Sequence, residues 1–395
     1  MHPPIAPFHL MAKPSGPACN LDCSYCFYLK KRGLFTRGTR FRMTDAILET
    51  YIRDYLASQS SPEVTFSWQG GEPTLLGIDF FRRALDLQQH HAHGRRIVNT
   101  LQTNGTRLDD AWGRFLHDHR FLVGLSLDGP RELHDRHRRD RRGGSCFDDV
   151  MRGLAVLKRH HVEFNLLTVV SADNARHPEV VYRFLRKTGA RHLQFIPLVE
   201  RAAAPADDLA CVPATATATA ASVTPEAFGH FLCRVFDEWM DHDLGRIHVR
   251  DFEVMLGVWC GLPASLCVYA ETCGRALAIE HNGDVYSCDH YVYDSHRLGN
   301  IVSTPLATLV ESPFQRRFGA AKHEAVPASC RACPWWFAYH GGCPKHRFAT
   351  DATGDPRLNH LCPGFKTFFA HIDRPMRRMA ALLHQGRSPA SLRRN

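Results

Sequence analysis

No run of about 18 or more apolar residues occurs in this chain of 395, so no membrane-spanning helix is expected. The opening stretch, MHPPIAPFHLMAKPSG, lacks a basic segment followed by an apolar run and a small-residue cleavage site. No secretion signal is read there, and the expected location is cytoplasmic. Aromatic residues do not interleave with the densest basic run, Arg136–Arg142 (RHRRDRR). That run reads as a solvated loop face, with phosphate contact as the alternative, and neither nucleic acid nor membrane is expected as a partner. The remaining composition, 44% hydrophobic and 23% charged, is that of an ordinary globular protein long enough for two domains. The net charge of +9 leaves 25 histidines uncounted, so the surface becomes more basic as pH falls toward about 6.

What is plentiful is cysteine. Fourteen thiols in a chain without a visible export signal are expected to be metal ligands rather than disulfides. Most fall in two groups, 19–26 and 267–362. The first, CNLDCSYCFY, spaces Cys19, Cys23 and Cys26 as C-x3-C-x2-C on a loop directly after a strand. No fourth Cys, His or well-aimed carboxylate completes the set, since Asp22 sits between ligands. Three thiolates suit three corners of a [4Fe–4S] cube and leave one iron open. A zinc knuckle or a group of buried thiols is the plain alternative, although no second C-x2-C or H-x3-H follows within a dozen or so residues.

From Pro7 to about Glu200 the pattern alternates strand and helix. Strands are expected at 8–13, 64–68, 97–103, 121–127, 164–170 and 193–198, with helices such as 44–57, 79–91, 147–160 and 178–187 between them. Six such repeats imply a parallel α/β sheet with right-handed crossovers, an open partial (β/α)6 barrel of TIM type. Chemistry in such sheets gathers at the C-terminal strand ends, and the polar motifs sit there: the cysteine loop, QGGEP, QTNG and SLDG. In QGGEP the paired Gly70 and Gly71 let backbone approach a ligand, and Glu72 offers a carboxylate to an ammonium. Ser126, Asp128, Arg138, Leu198 and Val199 are further candidates near these strand ends. Plain structural duty is the alternative for each of these.

The barrel is assigned 1–200. An Ala/Thr/Pro-rich insertion or linker follows at 201–224, in which Cys211 is an incidental thiol. A helical connector spans 225–266, with Phe228, Leu232, Val235, Phe236 and Trp239 on one face. The cysteine-rich remainder, 267–395, carries Cys267, Cys273, Cys288, Cys330, Cys333, Cys343 and Cys362. Residues 276–287 read as a β-hairpin turning at Asn282-Gly283. These seven cysteines could hold zinc or iron–sulfur clusters, and the N-terminal loop favours clusters.

The C-x3-C-x2-C loop with Tyr25 before its last cysteine, followed by GGEP, resembles radical S-adenosylmethionine enzymes. Over nearly the full length, Pro7 to about Phe369, CG-ALAIEHNGDVYSCDHYV, LGNI and C-RAC-x9-C-PKHR resemble the anaerobic sulfatase-maturating members that carry a SPASM domain. The resemblance implies S-adenosylmethionine on the first cluster and two auxiliary [4Fe–4S] clusters. For the cofactor it implies a ribose at Ser126 and Asp128, a carboxylate at Arg138 and a base at Leu198 and Val199. It implies oxidation of a Cys or Ser in an unfolded sulfatase polypeptide to Cα-formylglycine, with an external one-electron reductant of flavodoxin or ferredoxin type as second partner. Carried over by position, Cys267, Cys273, Cys288 and Cys343 would ligate the first auxiliary cluster, and Cys330, Cys333 and Cys362 the second. Asp289 would be the base, with a hairpin-end turn residue as its plain alternative. Tyr28 and Gln69 would be candidate substrate contacts. One departure stands out: Tyr339 occupies the place of the expected fourth cysteine of the second auxiliary set. His340, Tyr339 itself, an outside ligand, Cys260 or an absent cluster are the open possibilities. A SPASM maturase of another peptide and, more distantly, a non-enzymatic zinc scaffold are the rival functions.

Overall fold

A computed structural model of the protein describes residues 5–202 and 217–393. Most of the Ala/Thr/Pro stretch, together with Cys211, lies outside the described residues. Ten strands carry the fold. They are β1 (His9–Lys13), β2 (Glu63–Trp68), β3 (Arg96–Thr103), β4 (Leu122–Ser126), β5 (Phe164–Val170), β6 (His192–Pro197), β7 (His248–Val249), β8 (Ala276–Glu280), β9 (Asp284–Tyr286) and β10 (Arg297–Asn300). Each of the first six is followed by at least one helix, the expected α/β succession. The expected strand limits hold to within a residue at each end.

The chain divides into two compact units that interleave along the sequence. The first comprises Met1–Ser126, His137–Phe164 and Gly274–Ala320. In it β1 to β4 are parallel neighbours, and β8 pairs with β1 in parallel, from His9 opposite Ala276 to Lys13 opposite Glu280. The hairpin β8–β9, which turns at Asn282-Gly283 as expected, therefore extends the sheet of the N-terminal half rather than standing in a separate layer. Under these strands lie Tyr51, Tyr55, Phe66, Trp68 and Phe81, all buried. Tyr51 comes from the helix Asp45–Ala57, whose N-terminus is capped by the Thr44 hydroxyl accepting from the Ile47 N–H at 3.4 Å. The polar groups here are satisfied: Trp68 Nε1 donates to Asn99 at 2.8 Å, and Asn99 and Gln88 exchange amide bonds.

The second unit comprises Leu127–Arg136, Asn165–Cys273 and Ala321–Asn395. Strands β5, β6 and β7 run parallel there. The connector helix is Pro225–Glu238, shorter than expected because its last turn widens into a π turn at Trp239–Asp243. Its apolar face, Phe228, Leu232, Val235 and Phe236, packs on the long helix Cys362–His384. The two helices touch backbone to backbone at glycines: a Cβ at Gly364 would sit 2.0 Å from the Pro225 carbonyl oxygen. This contact fixes the first turn of the long helix, and with it Cys362.

Candidate active site and thiolate groups

In the first unit the cysteine loop is held by backbone bonds from both sides. The Asp22 N–H donates to Arg139 O at 2.9 Å, the Ser24 N–H to His137 O at 3.0 Å and the Cys26 N–H to Cys23 O at 2.9 Å. Cys19, Cys23 and Cys26 are all half-buried and carry no disulfide. Asn104, from the QTNG motif after β3, donates to Asn20 Oδ1 at 3.0 Å and to Cys19 Sγ at 3.8 Å. The Leu21 N–H reaches the same sulfur at 3.3 Å. Without iron, burial, assisted by the nearby Glu72, pushes the Cys19 thiol up to about 12. A cation is thus required to hold it as thiolate. Tyr25 packs on the His137 ring at 5.2 Å and under the Arg138 guanidinium at 5.6 Å, so Arg138 is buried beside the cluster loop.

Gly70 and Gly71 bring the GGEP turn onto the chain's own backbone. Gly71 N–H donates to Gly16 O at 2.8 Å, Glu72 N–H donates to Ala18 O at 2.8 Å, and a Cβ on Gly71 would lie 2.0 Å from Ala18 O. Glu72 is fully buried. Its Oε1 accepts from the Thr74 N–H, the Thr74 hydroxyl and the Thr103 hydroxyl, and its Oε2 from the Asn104 N–H at 2.7 Å. One lone pair of Oε2 is left for an outside donor such as an ammonium. Burial raises the Glu72 carboxyl above the ordinary carboxylate range against the pull of these four donors. Ser126 closes β4 and is buried.

At the ends of β1 and β8 lies a charged group that the sequence reading only partly found. Lys13, the last residue of β1, is buried and forms an ion pair with Asp289, which opens a 3-10 turn after Cys288. Its ammonium also donates to Gln69 Oε1 at 2.5 Å and lies 4.7 Å from the Tyr28 ring. Gln69 passes the chain on to Gln102. The Tyr28 hydroxyl, buried, donates to Glu280, which has no exposure at all. Burial and that carboxylate push the Tyr28 phenol well above its usual range. Asp289, Gln69 and Tyr28 thus lie together around Lys13. Lys13 and Glu280, which hold them, were missed. The signal was present: a lysine ending the apolar strand HLMAK and a glutamate ending ALAIE.

The second unit holds two thiol groups. Cys267, Cys273 and Cys343 surround Lys322, whose buried ammonium donates to the carbonyls of Cys267 at 2.6 Å, Val268 at 3.2 Å and Ala270. Burial lowers the Lys322 ammonium to about 8, and the three thiols act to raise it. A cation in that place offsets thiolate charge, and nothing in the local sequence marked it. Cys288, the fourth residue expected with this set, lies in the first unit at the end of the hairpin. Cys330, Cys333 and Cys362 line one cavity with Tyr339. Leu198 and Val199 follow β6 and are buried. Among the described residues, none of the cysteine triplets 19/23/26, 267/273/343 and 330/333/362 gathers its sulfurs within 4.8 Å of one another. Tetrahedral zinc, with bonds of about 2.3 Å, would hold them within about 4 Å. The donor sets fit the wider cube of an iron–sulfur cluster better than a single ion.

These loops and thiols define an iron–sulfur radical enzyme. Residues 14–185 match the Radical SAM superfamily and residues 267–334 match the SPASM iron-sulfur cluster-binding domain. The chain belongs to the anaerobic sulfatase-maturating enzymes, and it is a radical S-adenosylmethionine oxidoreductase. It is 40% identical over 390 residues to the serine-type anaerobic sulfatase-maturating enzyme of Bacteroides thetaiotaomicron, covering 98% of this chain and 94% of that one. It is 35% identical to the cysteine-type enzyme of Clostridium perfringens over 93% of this chain and 96% of the relative. The solved structure of native anSMEcpe with bound AdoMet and Cp18Cys peptide superposes with a TM-score of 0.84 at 33% identity, covering 96% of this chain and 100% of that one. No described helix is long and apolar enough to cross a membrane.

Proposed function

We propose that the protein matures sulfatases by oxidising a Cys or Ser side chain of an unfolded sulfatase polypeptide to Cα-formylglycine, with Asp289 as the base. The observation that carries this reading is the buried Lys13–Asp289 pair at the strand ends, with Gln69 and Tyr28 around it. Bound at Cys19, Cys23 and Cys26, a [4Fe–4S] cluster with S-adenosylmethionine supplies a carbon radical able to take hydrogen from the substrate Cβ. The remaining tasks fall to side chains of this chain. Asp289 accepts the thiol or hydroxyl proton, and Lys13 holds its carboxylate in place through the ion pair. Glu72 offers its remaining lone pair to the cofactor ammonium and Arg138 its guanidinium to the cofactor carboxylate. Gly70 and Gly71 shape the turn that carries Glu72, Tyr25 supports the loop, Ser126 faces the ribose, and Leu198 and Val199 pack on the adenine. The remaining electron of the oxidation would be taken up by auxiliary clusters on the C-terminal cysteines, and with a Cys substrate water would replace the sulfur, released as sulfide. An external one-electron carrier of flavodoxin or ferredoxin type is the second partner.

The test is anaerobic turnover of a Cys-x-Pro-x-Arg peptide and its Ser counterpart, read by mass spectrometry. Replacement of the side chain by an aldehyde is the expected result. An intramolecular crosslink, or no change while 5′-deoxyadenosine accumulates, would assign the protein to another peptide chemistry.

A further inference from the structure

The second auxiliary set has three thiols where four would close a cube, and Tyr339 lines the same cavity as those three. Cys330 leaves the short helix Ala328–Arg331, Cys333 follows it after a turn, and Cys362 opens the long helix Cys362–His384. All three line one cavity whose other walls are mainly apolar, among them Trp335, Phe365 and Phe369. Tyr339, at the end of the one-turn helix Trp336–Tyr339, lines the same cavity. It is 7% exposed, and its ring lies 4.5 Å from that of Phe365 and 5.9 Å from that of Phe369. Its hydroxyl stands beside Gly342, 2.4 Å from where a Cβ on that glycine would lie. The residue shares its cavity with Cys330, Cys333 and Cys362.

We propose that the Tyr339 phenolate oxygen is the fourth ligand of an iron–sulfur cluster held by Cys330, Cys333 and Cys362. Iron accepts phenolate in proteins, and a phenol that gives its proton to solvent on binding carries the same charge as the thiolate it replaces. His340 is the weaker candidate: its backbone turns into the left-handed region at φ +48°, and it is not part of the cavity wall. Lys366, on that wall, and Arg347 supply positive charge toward the cysteines, as a cluster of net negative charge requires. This inference rests on the assignment of the three cysteines as cluster ligands but not on the substrate, so its test is independent of formylglycine yield.

The experiment is anaerobic reconstitution of the full chain, followed by iron and sulfide counting, EPR and resonance Raman spectroscopy. Wild type, Tyr339→Phe and Tyr339→Cys are compared. Wild type is expected to hold about twelve irons per chain, for three clusters, and to show resonance-enhanced tyrosinate ring modes. Tyr339→Phe should lose those modes and between about one and four irons, through opening or loss of the one cluster. Tyr339→Cys should keep the full iron count and lose the tyrosinate modes, and it serves as the readout should the Phe variant not fold. A wild-type count of about eight irons, or iron and Raman signals unchanged in Tyr339→Phe, would overturn the assignment.

Discussion

The ammonium of Lys13, buried at the end of β1, is paired with the carboxylate of Asp289, 276 positions later in sequence. The parallel register of β8 on β1, with Lys13 opposite Glu280, is what brings the post-hairpin turn to that cation. A nearby positive charge favours the ionised carboxylate, the form a base needs. Asp289→Asn should therefore lower aldehyde yield by about 10² to 10⁴-fold while 5′-deoxyadenosine still forms. Lys13→Met should act more mildly, lowering aldehyde yield through a displaced Asp289 carboxylate. Quantifying both products checks this. Equal loss of the two products in Asp289→Asn would remove Asp289 from the role of base.

Glu280 has no solvent exposure and depends on the Tyr28 hydroxyl, with His281 3.4 Å away as its other polar neighbour. Tyr28→Phe deletes a hydrogen bond to a buried acid and leaves the acceptor in place, which costs about 1.5–3 kcal/mol. The denaturant midpoint of the anaerobic holoprotein should fall accordingly. A Tyr28 that served only as a substrate contact would instead raise KM and leave the midpoint where it was.

Gly71 stands against Ala18, directly before Cys19. A methyl group there meets a carbonyl oxygen at 2.0 Å, and backbone cannot give way as a flexible side chain would. Gly71→Ala should displace the cysteine loop and lower the iron content by about four per chain. Iron counting with the auxiliary clusters as internal reference reads this directly. Full iron content would show that the loop absorbs the shift.

How much of this was legible without coordinates depended on the kind of interaction. The alternating elements were readable because strands such as FNLLTVV and the capped helix after Thr44 state their structure within a few residues. So were the thiols, since ligand spacing is local. The glycines of GGEP were found, but their packing on Gly16–Ala18 was not, because it is a relation between loops some 50 residues apart in sequence. Lys13, Glu280 and Lys322 were missed for a similar cause. A single charged residue in an apolar stretch carries no sign of the partner that makes its burial tolerable, and those partners are set by the β1–β8 pairing and by the carbonyls of Cys267 to Ala270. Asn104 lay in a noticed motif, yet its bond to Cys19 needed the fold.

Asp251, in the first turn of the helix Arg250–Trp259, is another buried acid, remote in role from the chemistry. It accepts the Tyr269 hydroxyl at 2.6 Å, while its Oδ2 has no partner among the described residues. Burial, only partly offset by that bond, lifts its carboxyl to about 6. The sign follows from the proton count. Between the unfolded value of 3.8 and about 6 the folded state holds more proton than the unfolded one, so stability falls as pH rises through that window and levels off above it. Between about pH 5 and 7.5 the loss from this one group is roughly 1.4 kcal/mol. Asp251→Asn can keep the Tyr269 bond and cannot titrate, so its unfolding free energy should lack that component of the slope. Denaturant titrations of wild type and variant at the two pH values check the difference, and parallel pH dependence would show that Asp251 is already ionised throughout.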